Sequence, residues 1–254
     1  MKKTLLTLLL AAAPALAAAL TPPEALQVVR TIDERWRSSG DWKALCYMES
    51  KEKDKTDVVY ELVVYRRDAE EKMLFLFLAP KTGQGKGYLR LERNMWFYDP
   101  GTGRWERRTE RERIGGTDTR RGDFESRLAE EYDVAWEADE KLGKFEVHRL
   151  LLEVKPDVDV AYPVIRLWVD RASGNVLKRQ DMALSGRLMR TSYNPRWKKV
   201  YSESKKGDVW YPEEMRQYDE IEKANQTLVI IKQIDLRPLD PNLFTKAWLE
   251  SKSR

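Results

Sequence analysis

Alternating apolar and polar residues, interrupted by turn residues, characterise most of the chain after residue 40. Between residues 164 and 170, for example, Ile165, Leu167 and Val169 alternate with neighbours that are mostly more polar. This pattern is typical of a strand with one dry face and one largely wet face. Because such segments recur about every ten residues without long helical segments between most of them, the sequence predicts one antiparallel sheet. The predicted strands are 42–48, 58–65, 73–79, 88–92, 95–98, 132–138, 145–154, 164–170, 176–184, 188–193, 215–221 and 227–236.

One predicted strand departs from the alternation. Residues 73–78 read Met-Leu-Phe-Leu-Phe-Leu and are apolar on both faces. Such a strand has to be covered on both sides. A helix can supply one cover, and the second can be the interior of a barrel or a ligand. A central strand that is buried on both faces within an ordinary core remains the alternative.

Three segments carry helical patterns. Thr21 and Glu24 form a capping box, with two prolines suited to a first helical turn. The apolar stripe that follows has spacings of three and four and ends at the turn residues 38–40. A second helix is predicted at 123–130, with Asp123 as its N-cap, and a third after Asp240-Pro241. The stripe residues are Leu26, Val29, Ile32 and Trp36 in the first helix, and Leu243, Phe244, Ala247 and Trp248 in the last.

The first residues have the features of an export signal. Lys2 and Lys3 precede an apolar run at 5–16, which ends in the small-x-small sequence Ala15-Leu16-Ala17. The run is shorter than the roughly 20 apolar residues that span a bilayer, although a retained anchor is the alternative. We therefore predict a signal peptide at 1–17, with cleavage after residue 19 as a variant, followed by a single domain at 18–254. No cysteine lies near the cleavage point, so we expect a Sec-exported, soluble periplasmic protein without a lipid anchor.

Composition removes several kinds of chemistry. Among 254 residues, the chain has one histidine, His148, and one cysteine, Cys46. A histidine-based metal cluster, a cysteine zinc site and an intramolecular disulfide therefore cannot form within one chain. We expect His148 to be a structural or surface residue and Cys46 to be a small buried side chain.

Two apparent ligand motifs fail on inspection. Arginines at 104–113 are interleaved with glutamates, and loss of the signal peptide lowers the formal net charge from +4 to +2, which argues against nucleic acid. The glycine-rich stretch at 83–87 contains Lys86, but no Ser or Thr follows it and a strand begins where a helix should, which argues against a nucleotide. Carboxylates are plentiful, yet no spacing selects a catalytic pair. We predict no enzymatic activity and no cofactor.

A set of motifs, spread in order over nearly the whole mature chain, resembles the outer-membrane lipoprotein-sorting proteins, the LolA-like family. An apolar strand at 75–80 ends in proline and is followed by a glycine-rich turn, a Tyr-Leu strand and a Trp-x-Tyr-x-Pro strand within 87–100. The segment at 115–121 departs from the family pattern, because it is more basic. Other matching segments are Gly122-Asp123-Phe124, Glu131-Tyr132, Trp210-Tyr211-Pro212 and Phe244-Thr245 with Leu249.

The resemblance implies a mainly β fold, in which one strongly curved antiparallel sheet forms an unclosed β-barrel. N-terminal, central and C-terminal helices would cover its concave apolar side. It also implies a periplasmic carrier that binds the acyl chains of lipoproteins or other lipids in an apolar cavity and shuttles them between the envelope membranes, without a cofactor. The implied partners are the lipid or acylated lipoprotein cargo, with an inner-membrane transporter or an outer-membrane acceptor.

Combined with the strand pattern, the resemblance suggests which side chains form the cavity. Core packing without a ligand cavity is the alternative for each of them. The predicted wall residues are Tyr60, Leu62, Val64, Phe75, Phe77, Leu89, Leu91, Ile165, Leu167 and Val169, and the predicted lid residues are Leu26, Val29 and Trp36.

A second function is compatible with the same cavity. An envelope sensor or adaptor could report on lipids or mislocalised lipoproteins to a membrane partner such as an RND-type exporter. It would form a stable protein complex and show no transfer activity. The identity of the cargo and the direction of transfer are not encoded in any motif of the sequence.

Overall fold

The computed structural model describes residues 19–37, 40–91, 94–109 and 111–253. The predicted signal peptide, the end of the first predicted helix at 38–39 and the last residue of the strand predicted at 88–92 lie outside these ranges. Within the described residues, no helix is long and apolar enough to cross a membrane.

The strands of the described chain form one sheet whose ends do not meet. In sheet order they are β6-β5-β4-β3-β2-β1-β13-β12-β11-β10-β9-β8-β7. The bounds are Asp41–Lys51 (β1), Val58–Arg67 (β2), Lys72–Ala79 (β3), Gly87–Leu91 (β4), Asn94–Asp99 (β5), Arg104–Arg108 (β6), Tyr132–Leu142 (β7), Phe145–Val154 (β8), Val164–Asp170 (β9), Val176–Met182 (β10), Leu188–Ser202 (β11), Gly207–Asp219 (β12) and Gln226–Asp235 (β13).

Two meanders build this sheet. Strands β1–β6 run outward in sequence order on one side, and β13 back to β7 run outward on the other. The two halves are joined where β1 pairs with β13, for example Met48 with Val229. Every described pairing is antiparallel. The predicted mainly β, unclosed-barrel fold is thus confirmed.

Helix α1, Pro22–Arg37, covers one half of the sheet. At its start, the Glu24 carboxylate accepts hydrogen bonds from the backbone N–H of Thr21 at 2.8 Å and from its hydroxyl at 2.7 Å, as the capping box predicts. Ala25, Val29 and Ile32 are buried against strands β7–β10. Trp36 packs against the same cluster, whereas Leu26 is only half-buried and lies outside it, so Ala25 takes the first position of an otherwise predicted stripe.

Adjacent arginines on β2 distinguish the two faces of the sheet. Arg66 contacts Trp36 of α1, whereas Arg67 lies over the ring of Phe244 near the C-terminus. We call the face that α1 covers the inner face and the opposite one the outer face. The last helix, α3 (Lys246–Lys252), packs on the outer face with Leu74 and Leu89.

This position of α3 corrects the expectation that all three helices cover the same side. The physical reason lies in β3. Met73, Phe75 and Phe77 belong to the inner core, while Leu74 and Leu76 belong to the outer one. Because both faces of β3 are apolar, α3 is needed as the second cover.

Residues 113–128, which we call the crossing segment, pass over the inner face. The predicted central helix at 123–130 is reduced to the single turn α2, Leu128–Glu131. Asp123 does not cap it, because this residue ends a 3-10 turn and accepts hydrogen bonds from Arg190 at 2.7 and 2.8 Å. The Asp123 carboxylate caps the 3-10 turn that precedes it, where it accepts the backbone N–H of Arg120 at 2.8 Å.

Candidate binding pocket

Aromatic side chains from neighbouring strands meet at the β6 side of the inner face. Phe75 of β3 pairs with Tyr88 of β4, which pairs with Phe97 of β5. The ring centroids of Tyr88 and Phe97 are 5.0 Å apart, and those of Tyr60 and Phe77 are 5.5 Å apart. These distances fall in the range of favourable aromatic contacts.

The aromatic side chains border a pocket of about 380 Å³. This volume is at the lower end of the roughly 300–1,000 Å³ that small-molecule pockets occupy. The walls are mostly apolar and come from β2, β3, β4, β5, the β3–β4 loop and the crossing segment. The lining residues are Val58, Tyr60, Phe77, Pro80, Thr82, Gly83, Lys86, Tyr88, Phe97 and Gly115.

Gly115 closes the pocket on the side of the crossing segment. Its carbonyl accepts a hydrogen bond from the Tyr60 hydroxyl at 2.9 Å. The residue has φ of +63°, and a Cβ atom here would lie 3.0 Å from Cζ of Phe77. Glycine therefore allows both the left-handed turn and the close approach to the aromatic wall. Burial raises the pKa of the Tyr60 and Tyr88 hydroxyls, so both stay protonated and can donate hydrogen bonds at neutral pH.

Buried charges hold the crossing segment against the sheet. Arg190 of β11, only 3% exposed, donates to both carboxylate oxygens of Asp123 and to the carbonyl of Asp118 at 3.0 Å. Its Nε donates to Asp181 of β10 at 2.7 Å. On the other side, Arg66 donates to the Phe124 carbonyl. These bonds make the segment part of the folded core.

The pKa directions agree with this pairing. Burial acts to lower the pKa of Arg190, but Asp123 and Asp181 together raise it well above its ordinary value. Burial acts in the opposite direction on Asp123, and the adjacent Arg190 nevertheless lowers the pKa of its carboxyl. Both groups are therefore charged at neutral pH.

An ionic band divides the inner face. On strands β10–β12, between the two inner apolar clusters, lie polar residues that bond to the crossing segment, including Gln217, which accepts from Thr119 at 2.7 Å. The first cluster contains the pocket side of the sheet, and the second lies under α1. The band also contains Arg190, Asp181 and Arg179 on the strands, where Asp181 pairs with both arginines, and Asp118 and Asp123 on the crossing segment, which accept hydrogen bonds from Arg190.

The predicted wall residues fall into four groups. Two of them, Tyr60 and Phe77, line the pocket. Three lie beneath it in the first cluster, namely Leu62, Val64 and Phe75. Three lie in the second cluster under α1, namely Ile165, Leu167 and Val169. Two lie on the outer face near α3, namely Leu89 and Leu91.

The predicted lid residues cover the second cluster. Val29 is buried there and Trp36 packs against its edge, while Leu26 does not join it. The side chains that the structure brings next to the pocket are those of the crossing segment. The lid function assigned to α1 thus concerns a different part of the inner face from the pocket.

Eight of the ten lining residues escape the sequence reasoning, among them Tyr88, Phe97 and Lys86. The side chains of β4 alternate between the two faces of the sheet, and each face receives apolar residues. Because one face also receives Arg90, the sequence suggests that this face is exposed to water. Arg90 is instead 1% exposed and donates to the Glu125 carboxylate of the crossing segment at 3.2 Å. Aromatic residues occupy paired positions on the three adjacent strands β3, β4 and β5. This pattern was the sequence signal that could have identified which side chains of β4 lie on the inner face.

Neither Cys46 nor His148 lines the pocket. Cys46 is fully buried in β1, where desolvation raises the pKa of its thiol to about 12. Nδ1 of His148 lies 2.6 Å from Oδ1 of Asp139, a partner on the adjacent strand β7. Among the described residues, no three His, Cys, Asp or Glu side chains converge as a metal site requires.

Comparison with known proteins identifies a family whose model matches this chain. A family model described as that of an uncharacterized protein matches residues 69–251. The chain belongs to this family. No curated protein matches the sequence significantly.

Three solved structures share the fold over nearly the whole chain. A domain from Vibrio parahaemolyticus, named after outer membrane lipoprotein-sorting proteins, has a TM-score of 0.79 at 20% identity and covers 91% of this chain and 100% of its own. A LolA superfamily protein from Nitrosomonas europaea has a TM-score of 0.74 at 19% identity, with coverage of 91% and 100%. A DUF1329 family protein from Desulfovibrio piger reaches 0.80 at 18% identity, with coverage of 90% and 98%.

These likenesses establish a LolA-like fold and confirm the resemblance found in the motifs. At identities of 20% or less, a shared fold does not specify the ligand. The pocket of this chain therefore has to be interpreted from its own residues.

Proposed function

We propose that this protein is a periplasmic carrier that binds an acyl chain of a lipid or lipoprotein in the aromatic pocket and moves it between the envelope membranes. The observation that carries the proposal is the mostly apolar pocket of about 380 Å³ on the inner face of a LolA-like half-barrel. The aromatic and aliphatic walls offer packing to a hydrocarbon.

The energetics require such a pocket. Exposure of an acyl chain to water costs about 0.8 kcal/mol per methylene. A chain of about fifteen methylenes would therefore cost on the order of 12 kcal/mol to move through water unprotected. A carrier that shields only part of the chain lowers this barrier and can still release its cargo.

The crossing segment gives the pocket a means to adapt. Gly115 of the crossing segment lines the pocket. The preceding residue, Ile114, is buried in the first apolar cluster. Displacement of this part of the segment would open the space above Phe75 and Phe124, whose ring centroids are 5.3 Å apart. The buried ion pairs of Asp123 and Glu125 would keep the other end attached. We propose that a longer chain is accommodated in this way.

Binding can be tested with a pair of adjacent valines. Val58 lines the pocket, whereas Val59 is 42% exposed on the next position of the same strand. Val58→Trp should fill the pocket and weaken the binding of a fluorescent dodecyl probe by about tenfold or more, since several methylenes lose their contact. Val59→Trp is the matched control and should bind the probe as the unmodified protein does.

The native protein should also contain lipid when it is purified from the envelope, detected by native mass spectrometry. No copurified lipid together with no probe binding would refute the carrier proposal. Transfer of a labelled lipid between two vesicle populations separates a carrier from the sensor or adaptor, because only a carrier increases the rate of transfer.

A further inference from the structure

Lys86 is the single charged side chain among the described residues that line the pocket. The other lining residues are apolar, aromatic, glycine or hydroxyl-bearing. No described carboxylate lines the cavity. A pocket with mostly apolar walls and one ammonium group is suited to a ligand with an apolar tail and a negative end.

The partner of Lys86 leaves this ammonium available. Its Nζ lies 3.4 Å from Oδ2 of Asp99, which does not line the pocket, and the Lys86 side chain is 36% exposed. The other oxygen of Asp99 accepts the backbone N–H of Gly101 at 2.9 Å. A long, half-exposed ion pair of this kind has little net energy to lose when an anion arrives.

Other charges near the pocket are balanced in pairs outside it. Arg108 lies over the ring of Phe97 with its guanidinium carbon 5.3 Å from the centroid, and it pairs with Glu106 at 2.6 Å and with Glu112 at 3.9 Å. Lys55 contacts Glu52 at 2.6 Å. None of these charged residues lines the pocket, so Lys86 is the charged side chain that borders the cavity directly.

The backbone at Lys86 is fixed, although its side chain can move. The Lys86 carbonyl accepts from the Phe77 N–H at 2.9 Å, and its N–H donates to Gly83 at 3.1 Å. On the far side of the loop, the Ser253 hydroxyl donates to the Gly85 carbonyl at 2.5 Å. The loop therefore holds the backbone of Lys86 at a constant position beside the aromatic walls, and the flexible side chain can reach a ligand there.

We infer that the pocket selects a single acyl chain that ends in an anionic group, with Lys86 as the residue that recognises this group. The inference rests on the proposed acyl-chain binding and specifies its ligand class. A carboxylate of a fatty acid and a phosphate of a lipid headgroup share the required chemistry. The pocket volume favours one chain over the several chains of a lipoprotein anchor.

Four probes with the same twelve-carbon chain test the inference: laurate, dodecyl phosphate, dodecanol and dodecyltrimethylammonium, each below its micelle concentration. Isothermal titration of the full chain should give affinities for the two anions that exceed that for dodecanol by about tenfold, as a charge-assisted contact provides. The cation should bind most weakly. The ratio between laurate and dodecyl phosphate identifies which anion the site prefers.

Variants assign the effect to one side chain. Lys86→Met keeps the apolar stem and should remove the preference for anions while dodecanol binds as before. Lys81→Met, an exposed lysine of the same loop that does not line the pocket, is the matched control and should retain the preference. Far-ultraviolet circular dichroism confirms that each variant is folded.

The outcomes separate the two proposals. Equal affinities for all four probes, or an anion preference that survives Lys86→Met, would overturn the role of Lys86 and leave acyl-chain binding intact. Absence of binding by every probe would overturn both the ligand class and the proposed function.

Discussion

Glycines at the end of the β3–β4 loop and at the start of β4 show how single residues allow close packing of the chain. A Cβ atom on Gly87 would lie 2.6 Å from the carbonyl oxygen of Phe75 and 2.9 Å from the methyl groups of Leu249. On Gly85, it would lie 2.6 Å from the backbone of Ser253. The loop that carries Lys86 is therefore held in close contact with both β3 and the C-terminal helix.

We predict that Gly87→Ala destabilises the protein by about 1–3 kcal/mol, since the added methyl group overpacks a backbone contact. The measurement is the free energy of unfolding in urea, followed by tryptophan fluorescence. Gly122→Ala is the control, because Gly122 is exposed and nothing lies within 4 Å of its Cβ position. Equal stabilities of the two variants would contradict the assigned close contact.

The orientation of β4 illustrates where residue-level reasoning reaches its limit. Tyr88 and Leu89 are both apolar, so alternation alone assigns them to opposite faces without deciding which face is inner. The polar residue Arg90 suggests the wrong answer. Its burial depends on Glu125, which is remote in sequence, and on the Glu71 carbonyl, which accepts from it at 3.0 Å.

At the scale of elements, the crossing segment depends on buried charge pairs more than on regular secondary structure. Asp33 of α1 accepts the backbone N–H groups of Leu128 and Ala129 at 2.9 and 2.7 Å. Arg190 fixes Asp123 from the sheet. The segment consequently links α1, the two halves of the sheet and the pocket.

We predict that Arg190→Met lowers the unfolding free energy by about 3–5 kcal/mol, because it removes the principal countercharge of Asp123 and one of the two arginines that pair with Asp181 in a buried site. Differential scanning calorimetry and limited proteolysis should show an earlier transition and faster cleavage within residues 113–128. Arg237→Met provides the comparison, since Arg237 is 83% exposed in its pair with Asp235 and surface pairs contribute little. Unchanged stability of the Arg190 variant would show that the ionic band is dispensable.

Most strands were predictable because alternation and turn residues act locally. The strands predicted at 145–154 and 164–170 coincide with β8 and β9. Strands β11 and β12 extend further than predicted. Their additional residues pair with each other, for example Lys199 with Trp210. Polar residues in these parts of the strands obscure the alternation. The stretch 104–108 forms strand β6 at a sheet edge, where its Arg and Glu side chains remain largely solvated.

At the scale of the whole molecule, the inner face contains two apolar clusters with an ionic band between them. The pocket borders the first cluster, and α1 covers the second. This division implies that the two clusters have different roles. The first cluster borders the pocket in which we propose that a ligand binds, and the second holds the N-terminal helix on the sheet.

We predict that Leu167→Ala, at a position 1% exposed in the second cluster, lowers stability by about 2–5 kcal/mol without a change in affinity for the dodecyl probe. Phe77→Ala, in the pocket wall, should weaken probe binding. Titrations are made at a temperature where both variants are folded. Equal losses of affinity in the two variants would show that a continuous cavity extends across the ionic band.

The sequence by itself determined the mainly β class, the positions of most strands, the apolar nature of both faces of β3 and the resemblance to LolA-like proteins. These features follow from local periodicity and from motifs that are contiguous in the chain. Only the tertiary structure decided which face of β4 is inner, where α3 packs, and that Lys86 borders an aromatic pocket. The physical reason is that these facts depend on pairings between distant residues, such as Arg90 with Glu125 and Arg190 with Asp123, whose charges are indistinguishable from surface charges until the chain has folded.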